Sequence, residues 1–240
     1  MDAGQDAQRE ELGTIEGDLR DVEDDLREGR IDHVSEALSL PGAHKGKRRV
    51  RMASGRICIA KPEGGVEDWE HAAGCEAAAW VVARRLGLEQ LVPVTVARVI
   101  KLPEGDDQLA ALQLWRESQE EDQPPDAFPD DEITSAALFD YLTEQGDRDN
   151  HNWLTWRDEA DRPHLRLADN GCAFGGRGWP LRSTFYELRR GRRLDGPTLA
   201  VLQKLRDPQF AQELEPLLPR ALIRALLERV ERLIDQRRLP

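Results

Sequence analysis

The sequence predicts an α+β fold in two parts, a small strand-rich part followed by a mainly helical one. Three observations lead there. Alternating apolar runs of the strand type are concentrated between residues 47 and 115. Helical periodicity dominates after residue 131. Between them, residues 120–131 are acidic and hold Pro124, Pro125 and Pro129, the composition of a connecting loop. Strands therefore segregate from helices, whereas a parallel sheet built of βαβ units would interleave them. A chain of 240 residues can bury a sizeable core, as one domain or as two lobes sharing a cleft.

The elements follow in order. Ile15, Leu19, Val22 and Leu26 recur at helical spacing, so residues 14–30 read as an amphipathic helix with an acidic outer face. A shorter helix is expected over 32–40, stopped by Pro41. Residues 47–53 and 56–61 alternate around Ser54-Gly55 and read as a β-hairpin that Pro62 ends. Residues 66–86 are helical in pattern, with Gly87 in the C-cap position. On that helix Glu76 falls on one stripe with Trp69, Ala73, Trp80 and Ala83. Strands are expected at 91–101 and 108–115. Helices follow at about 131–145, 195–206 and 218–236, interrupted by a hairpin of 153–156 and 164–168. The organisation is thus an acidic N-terminal helical segment (1–40), a strand-rich unit (41–118) and a helical unit (119–240).

Composition narrows the function. Hydrophobic residues make up 39% and charged residues 33%, as in a globular domain, and no apolar run approaches the roughly 20 residues that span a bilayer. The acidic, polar N-terminus lacks the features of a secretory signal. Cys58, Cys75 and Cys172 suggest neither a disulfide framework nor a zinc site. A cytoplasmic protein without membrane insertion is expected. A net charge of -12 argues against general nucleic-acid binding. The charge is uneven: residues 1–40 hold 13 Asp/Glu against 4 Arg, and residues 182–240 hold 13 Lys/Arg against 8 Asp/Glu. Solvated helix faces account for both, although a basic C-terminal face also suits steering of an acidic substrate or partner.

Residues 146–154, Gly-Asp-Arg-Asp-Asn-His-Asn-Trp-Leu, carry the most chemistry. Asp147 and Asn152 stand five residues apart. In phosphoryl transfer a catalytic-loop Asp accepts the proton of the attacking hydroxyl, and an Asn five residues on holds magnesium, which wants hard oxygen ligands. A second carboxylate should follow on the next strand pair, and Asp169-Asn170-Gly171 ends an apolar run there, Gly171 permitting a sharp turn. The intervening hairpin would bring Asp169 back beside Asn152. Either motif alone is also an ordinary Asp/Asn turn; their order and the hairpin between them favour the metal-binding reading. Upstream, Lys61 closes a strand, and Glu76, on an apolar stripe, needs a partner.

The set resembles the atypical kinases related to phosphoinositide kinases and HipA-type kinases, and their small bacterial relatives. The residues that carry the resemblance are Ile59-Ala-Lys61-Pro62, Glu76-Ala-Ala-Ala-Trp80, Leu86-Gly-Leu88, Leu91-Val-Pro-Val-Thr95, Leu112-Gln-Leu-Trp115, Asp140-Tyr-Leu142, Gly146-Asp-Arg148, Asn152-Trp-Leu154 and Asp169-Asn-Gly171. They run from about residue 45 to 175. The resemblance implies a two-lobed protein-kinase-like fold with ATP and Mg2+ in the cleft, acting on a hydroxyl of a protein or small molecule. Lys61 would contact phosphates and Glu76 fix it, and the connector at 112–115, with Gln113 and Leu114, would receive adenine. Asp147 would be the catalytic Asp, with Asn152 and Asp169 on the metal. The loop departs from the family pattern, Asp149 following Arg148 and histidine appearing only at His151, so Asp149 either assists or stands in for a structural histidine. The glycine loop is also incomplete: residues 42–47 read equally as a plain basic turn or as a cradle in which Lys45 or Lys47 with backbone N–H groups would hold phosphates. A pseudokinase, an AMP transferase on the same fold, and a phosphohydrolase built on Asp147, Asp149, His151 and Asp169 are the alternatives.

Overall fold

Alternation in the first half and 3.6-residue periodicity in the second fold into two lobes with separate cores. The computed structural model describes residues 19–38, 46–63, 71–115, 123–149, 152–175 and 178–240. Its elements are α1 (Leu19–Glu28), β1 (Ile31–Ala37), β2 (Arg48–Met52), β3 (Ile57–Pro62), α2 (Ala72–Leu86), β4 (Thr95–Lys101) and β5 (Asp107–Leu114). A 3-10 turn (Pro125–Ala127) leads to α3 (Asp130–Leu142), β6 (Trp153–Arg157), β7 (Pro163–Leu167), α4 (Thr184–Arg189), α5 (Gly196–Lys204), α6 (Pro208–Leu214) and α7 (Arg220–Gln236). No helix among the described residues is long and apolar enough to cross a membrane.

Among the described residues, five antiparallel strands form one sheet in the order β1-β2-β3-β5-β4, and β6 and β7 pair as a separate hairpin. The expected α+β class and the segregation of strands from helices are both found. The helix expected over 32–40 is not: residues 31–37 are strand β1, an edge strand pairing Ile31 with Met52 and Val34 with Val50. Register shifts on either side of His33-Val34 break its alternation. Pairing with β2 therefore decides its state, and that pairing is invisible to local periodicity. Two further helices, α4 and α6, were not anticipated. At six and seven residues they are under two turns long and show no period, yet Ser183 and Asp207 cap them, accepting from the N–H of Tyr186 and Gln209. Residues 14–18 and 64–70, Trp69 included, lie outside the described residues.

Val22 and Leu26 of α1 join Val50, Met52, Cys58, Ala60, Val96 and Leu112 in the core of the strand-rich lobe. Phe139, Leu142, Phe185, Phe210, Leu226 and Leu233 belong to the core of the helical lobe. Helix α2 serves both. Its Trp80 packs into the first core, and Cys75, Ala78, Ala79, Val82 and Ala83 pack into the second. A helix apolar almost all round must be buried on nearly every side, and α2 runs between the lobes. At its N-terminal end a Cβ on Gly74 would stand 2.1 Å from the Leu217 carbonyl oxygen, so only glycine permits that approach. Gly87, at φ 75°, ends the helix as expected, donating to the carbonyls of Ala83 and Arg84.

Candidate active site

The sheet, the shared helix and the β6–β7 hairpin bring four charged side chains together. Lys61 lies near the end of β3, where it pairs in register with Ala111 of β5. Its Nζ donates to Glu76 Oε1 at 2.5 Å and stands 3.7 Å from Asp169 Oδ1. Lys47, just before β2, donates to Asp169 Oδ2 at 2.8 Å. Glu76 is 2% exposed, and its Oε2 has no hydrogen-bond partner among the described residues. Burial alone would lower the Lys61 pKa, but the carboxylates of Asp169 and Glu76 outweigh it and hold the ammonium above the ordinary lysine value. Cys172 senses the same cluster. Burial, then the negative charges of Asp169, Asp147 and Glu76, push its thiol up to about 12.

The hairpin returns Asp169 to Asn152 as expected, because the Ala168 N–H donates to the Asn152 carbonyl at 3.0 Å. Asn152 Nδ2 donates to the Asp147 carbonyl at 2.5 Å, which leaves the amide oxygen as its acceptor toward a cation. Asp169 itself adopts the left-handed conformation, φ 55°, which Asp tolerates better than most residues. The sharp turn expected of Gly171 is thus made by Asp169. Gly171 instead lies against α2, where an added Cβ would meet Glu76 Oε1 at 3.7 Å.

Asp149 is partly exposed; its carbonyl accepts from the Asn152 N–H at 3.0 Å and its Oδ2 lies 3.8 Å from Arg182 Nη2. Gln113 and Leu114 are both part of the sheet. The Gln113 amide donates to Thr95 Oγ1 at 3.1 Å, and Leu114 is buried, its N–H donating to the Val94 carbonyl. Trp115, next in the chain, is exposed, and residues 116–122 lie outside the described residues. So do Lys45 and His151.

The sequence pattern left three residues of this site without roles. Arg148, 1% exposed, donates from Nε and Nη2 to Asp140, from Nη1 to the carbonyls of Asn152 and Ala168, and from Nη2 to Asn170 Oδ1 at 2.6 Å. One guanidinium thereby ties α3 to the Asn152 backbone and to the end of β7. Asp140, fully buried, also accepts from Ser183 Oγ at 2.7 Å. The signal was a lone carboxylate inside the apolar run Ala136–Leu142. Gln145 accepts from the Asp147 N–H at 3.2 Å and donates to the Asp169 carbonyl at 3.4 Å, tying the two acidic residues to one buried amide.

Among the described residues no group of three or more His, Cys, Asp or Glu side chains could hold a metal ion. Asp169 offers a carboxylate and Asn152 an amide oxygen, while Glu76, in contact with Lys61, keeps a buried carboxylate oxygen without a partner among the described residues. Hard oxygen donors of this kind suit magnesium, which takes few protein ligands and completes its shell with phosphates and water.

No family model matches the chain, and no curated protein matches it. Solved structures do. A crystal structure of the Golgi casein kinase with Mn/ADP bound matches at TM-score 0.63 and 15% identity, over 90% of this chain and 74% of that one. A second structure of the Golgi casein kinase gives the same score and identity over 90% and 73%. The proinflammatory kinase CtkA of Helicobacter pylori matches at TM-score 0.45 and 12% identity, over 86% and 92%. The chain has a kinase-like fold, shared with the Golgi casein kinase.

Proposed function

We propose that this protein is an ATP- and magnesium-dependent phosphotransferase of the atypical kinase group that includes phosphoinositide and HipA-type kinases, acting on a hydroxyl of a protein or small molecule in the cytoplasm. The observation that carries the reading is the contact of Lys61, Glu76 and Asp169, contributed by a strand, a helix and a hairpin end that a kinase-like fold brings together. Bound magnesium would neutralise charge on the transferred phosphate, with Asn152 and Asp169 as its protein ligands. Lys61, held by Glu76, orients the phosphates. Lys45 belongs to the same cradle, and Gln113 and Leu114 lead into the adenine connector. Asp147 accepts the proton of the attacking hydroxyl as its oxygen bonds to the γ-phosphorus and the bond to the β-phosphate oxygen breaks, releasing ADP. Asp149 assists on the same loop. Lobe boundaries near residues 40 and 118 follow from this reading.

Thermal stabilisation by ATP, with and without Mg2+, and label transfer from γ- and α-labelled ATP test it in wild type and Asp169→Ala. The expected result is a magnesium-dependent shift that Asp169→Ala abolishes, with γ-label transferred. Transfer of α-label would assign AMP transfer, and binding with no transfer to any hydroxyl acceptor would assign a pseudokinase. No shift under any condition would remove the ATP site.

A further inference from the structure

The carboxylate assigned to the metal is already claimed by two ammonium groups. Lys47 Nζ sits 2.8 Å from Asp169 Oδ2, and Lys61 Nζ sits 3.7 Å from Oδ1. The two lysines are not equivalent. Lys61 is nearer to Glu76, at 2.5 Å, and retains that partner whatever happens at Asp169. Lys47 has Asp169 as its ion-pair partner among the described residues. Its backbone is anchored where its carbonyl accepts from the Leu38 N–H at 2.8 Å, just after Gly46 at φ 108°. Four rotatable bonds then let its ammonium swing with no backbone movement. Both partners are only about a fifth exposed, so the contact is weakly screened by solvent.

We infer that Lys47 is a counter-ion lock on the metal site: it holds Asp169 against free divalent cations and leaves for a phosphate when nucleotide binds. The inference rests on the kinase reading of Asp169. A dication and an ammonium on one carboxylate oxygen repel each other, so metal without nucleotide must displace Lys47 into nothing better than water. Nucleotide changes the balance, because a phosphate offers Lys47 an equivalent anion as the metal takes its place on Asp169. Metal thus enters with the nucleotide rather than before it. Lys47 is a positioning residue here. It accounts for the cation of the incomplete glycine loop without requiring the missing glycines.

The test is direct Mn2+ binding to the full chain, followed by electron paramagnetic resonance of free Mn2+, with ADP binding measured separately by calorimetry. The variants are Lys47→Met, which keeps the aliphatic stem, Lys47→Arg and Asp169→Asn, each checked for an unchanged far-ultraviolet circular dichroism spectrum. Lys47→Met should bind Mn2+ without nucleotide at least about tenfold more tightly than wild type, and Asp169→Asn in that background should remove the gain. With ADP present the advantage should vanish or reverse, because the phosphate contact is lost too. Lys47→Arg should behave like wild type. If wild type binds Mn2+ and ADP together but Lys47→Met gains nothing in Mn2+ affinity alone, the lock is wrong and the kinase reading stands. If wild type binds neither, both fail.

Discussion

Two buried ion pairs lie within one hairpin of each other and are built on opposite principles. Arg148 and Asp140, at 1% and 0% exposure, are saturated: the guanidinium bonds from Nε and both terminal nitrogens, and Asp140 takes the Ser183 hydroxyl as well. Glu76 is nearly as buried, and Lys61 is partly buried, but this pair is under-satisfied. Glu76 Oε2 lacks a partner among the described residues, and Lys61 is divided between Glu76 and Asp169. A saturated pair has no valence left for a ligand and works as scaffolding. An unsaturated pair carries the desolvation cost of burial without full compensation, the mark of a site completed by something else. Burial alone does not separate the two; the hydrogen-bond inventory does.

The comparison breaks most visibly at Arg148. Arg148→Met leaves Asp140 as an unpaired buried charge, which costs about 3–5 kcal/mol, or roughly 6–20 °C of melting temperature for a chain of this size. It also frees the loop of Asn152 and the end of β7 together, so activity falls with stability. Arg148→Met combined with Asp140→Leu should recover part of the stability and none of the activity. Calorimetric melts of both variants check this; a double variant no more stable than the single would mean that the pair does not act as a unit.

Asp169→Asn tests the other side. The residue is part of the unsaturated cluster, so its loss should leave the melting temperature within about 3 °C of wild type. Turnover should fall by about 1,000-fold or more, since a metal contributes several kcal/mol of charge stabilisation in such transfers. A large fall in stability with residual turnover would place Asp169 in the scaffold.

The unequal legibility of the two clusters has a physical cause. Lys61, Glu76, Asp147, Asn152 and Asp169 can be picked out in the chain because the proposed chemistry would need particular side chains at short, fixed spacings, and such spacings survive in one dimension. That Lys61, Glu76 and Asp169 meet is what the fold adds. The lobe division was equally readable from the switch between alternation and helical period. Lys47 on Asp169 was not, because the partners are 122 residues apart and no local pattern links them. Arg148 sat inside the quoted motif, but its role depends on Asp140, eight residues back on α3, through a loop whose path periodicity does not give. Strand β1 is hidden from local pattern for the same reason, its identity lying in β2.

A third cluster grades the comparison. Glu23 of α1, 6% exposed, accepts from Trp80 Nε1 at 3.0 Å and Arg84 Nη1 at 2.8 Å, and the Arg84 and Arg85 guanidinium groups also reach Glu213 of α6. Trp80 and Arg84 follow Glu76 along the same helix, so Glu23 steadies α2 from behind. Glu23→Ala leaves the buried indole N–H unpaired, at a cost of about 1–3 kcal/mol. It should lower kcat/KM less than Asp169→Asn does, because Glu76 stays in place through its contact with Lys61. Melts and steady-state kinetics of the same preparation separate the two effects; an activity loss equal to that of Asp169→Asn would move Glu23 into the site.

The smallest expected effect lies at His164, whose two ring nitrogens both meet carboxylates, Nδ1 with Glu132 Oε1 at 2.5 Å and Nε2 with Asp158 Oδ2 at 3.3 Å. A neutral imidazole can donate from only one nitrogen, so both contacts are complete only when the ring is protonated. Burial by itself would lower its pKa, but the hydrogen bonds to Glu132 and Asp158 outweigh that and raise it above the ordinary 6.5. The sign follows. A raised folded-state value means that the cluster's contribution is fully present below about pH 6.5 and is lost as pH rises through the higher folded value. Asp158 does not titrate in that window, because the side chain and then the backbone of Arg162 hold its carboxyl well below the usual range. Glu132 keeps the Leu165 N–H in either state. The cluster is thus intermediate between the saturated pair and the open one, satisfied only while it carries a proton. The stability advantage of wild type over His164→Gln should shrink by about 1–3 °C between pH 6 and pH 8.5, a small effect because solvent reaches the ring and screens it. A pH-independent difference would mean that His164 is held by packing against Trp156, whose ring stacks on it at 4.6 Å, rather than by charge.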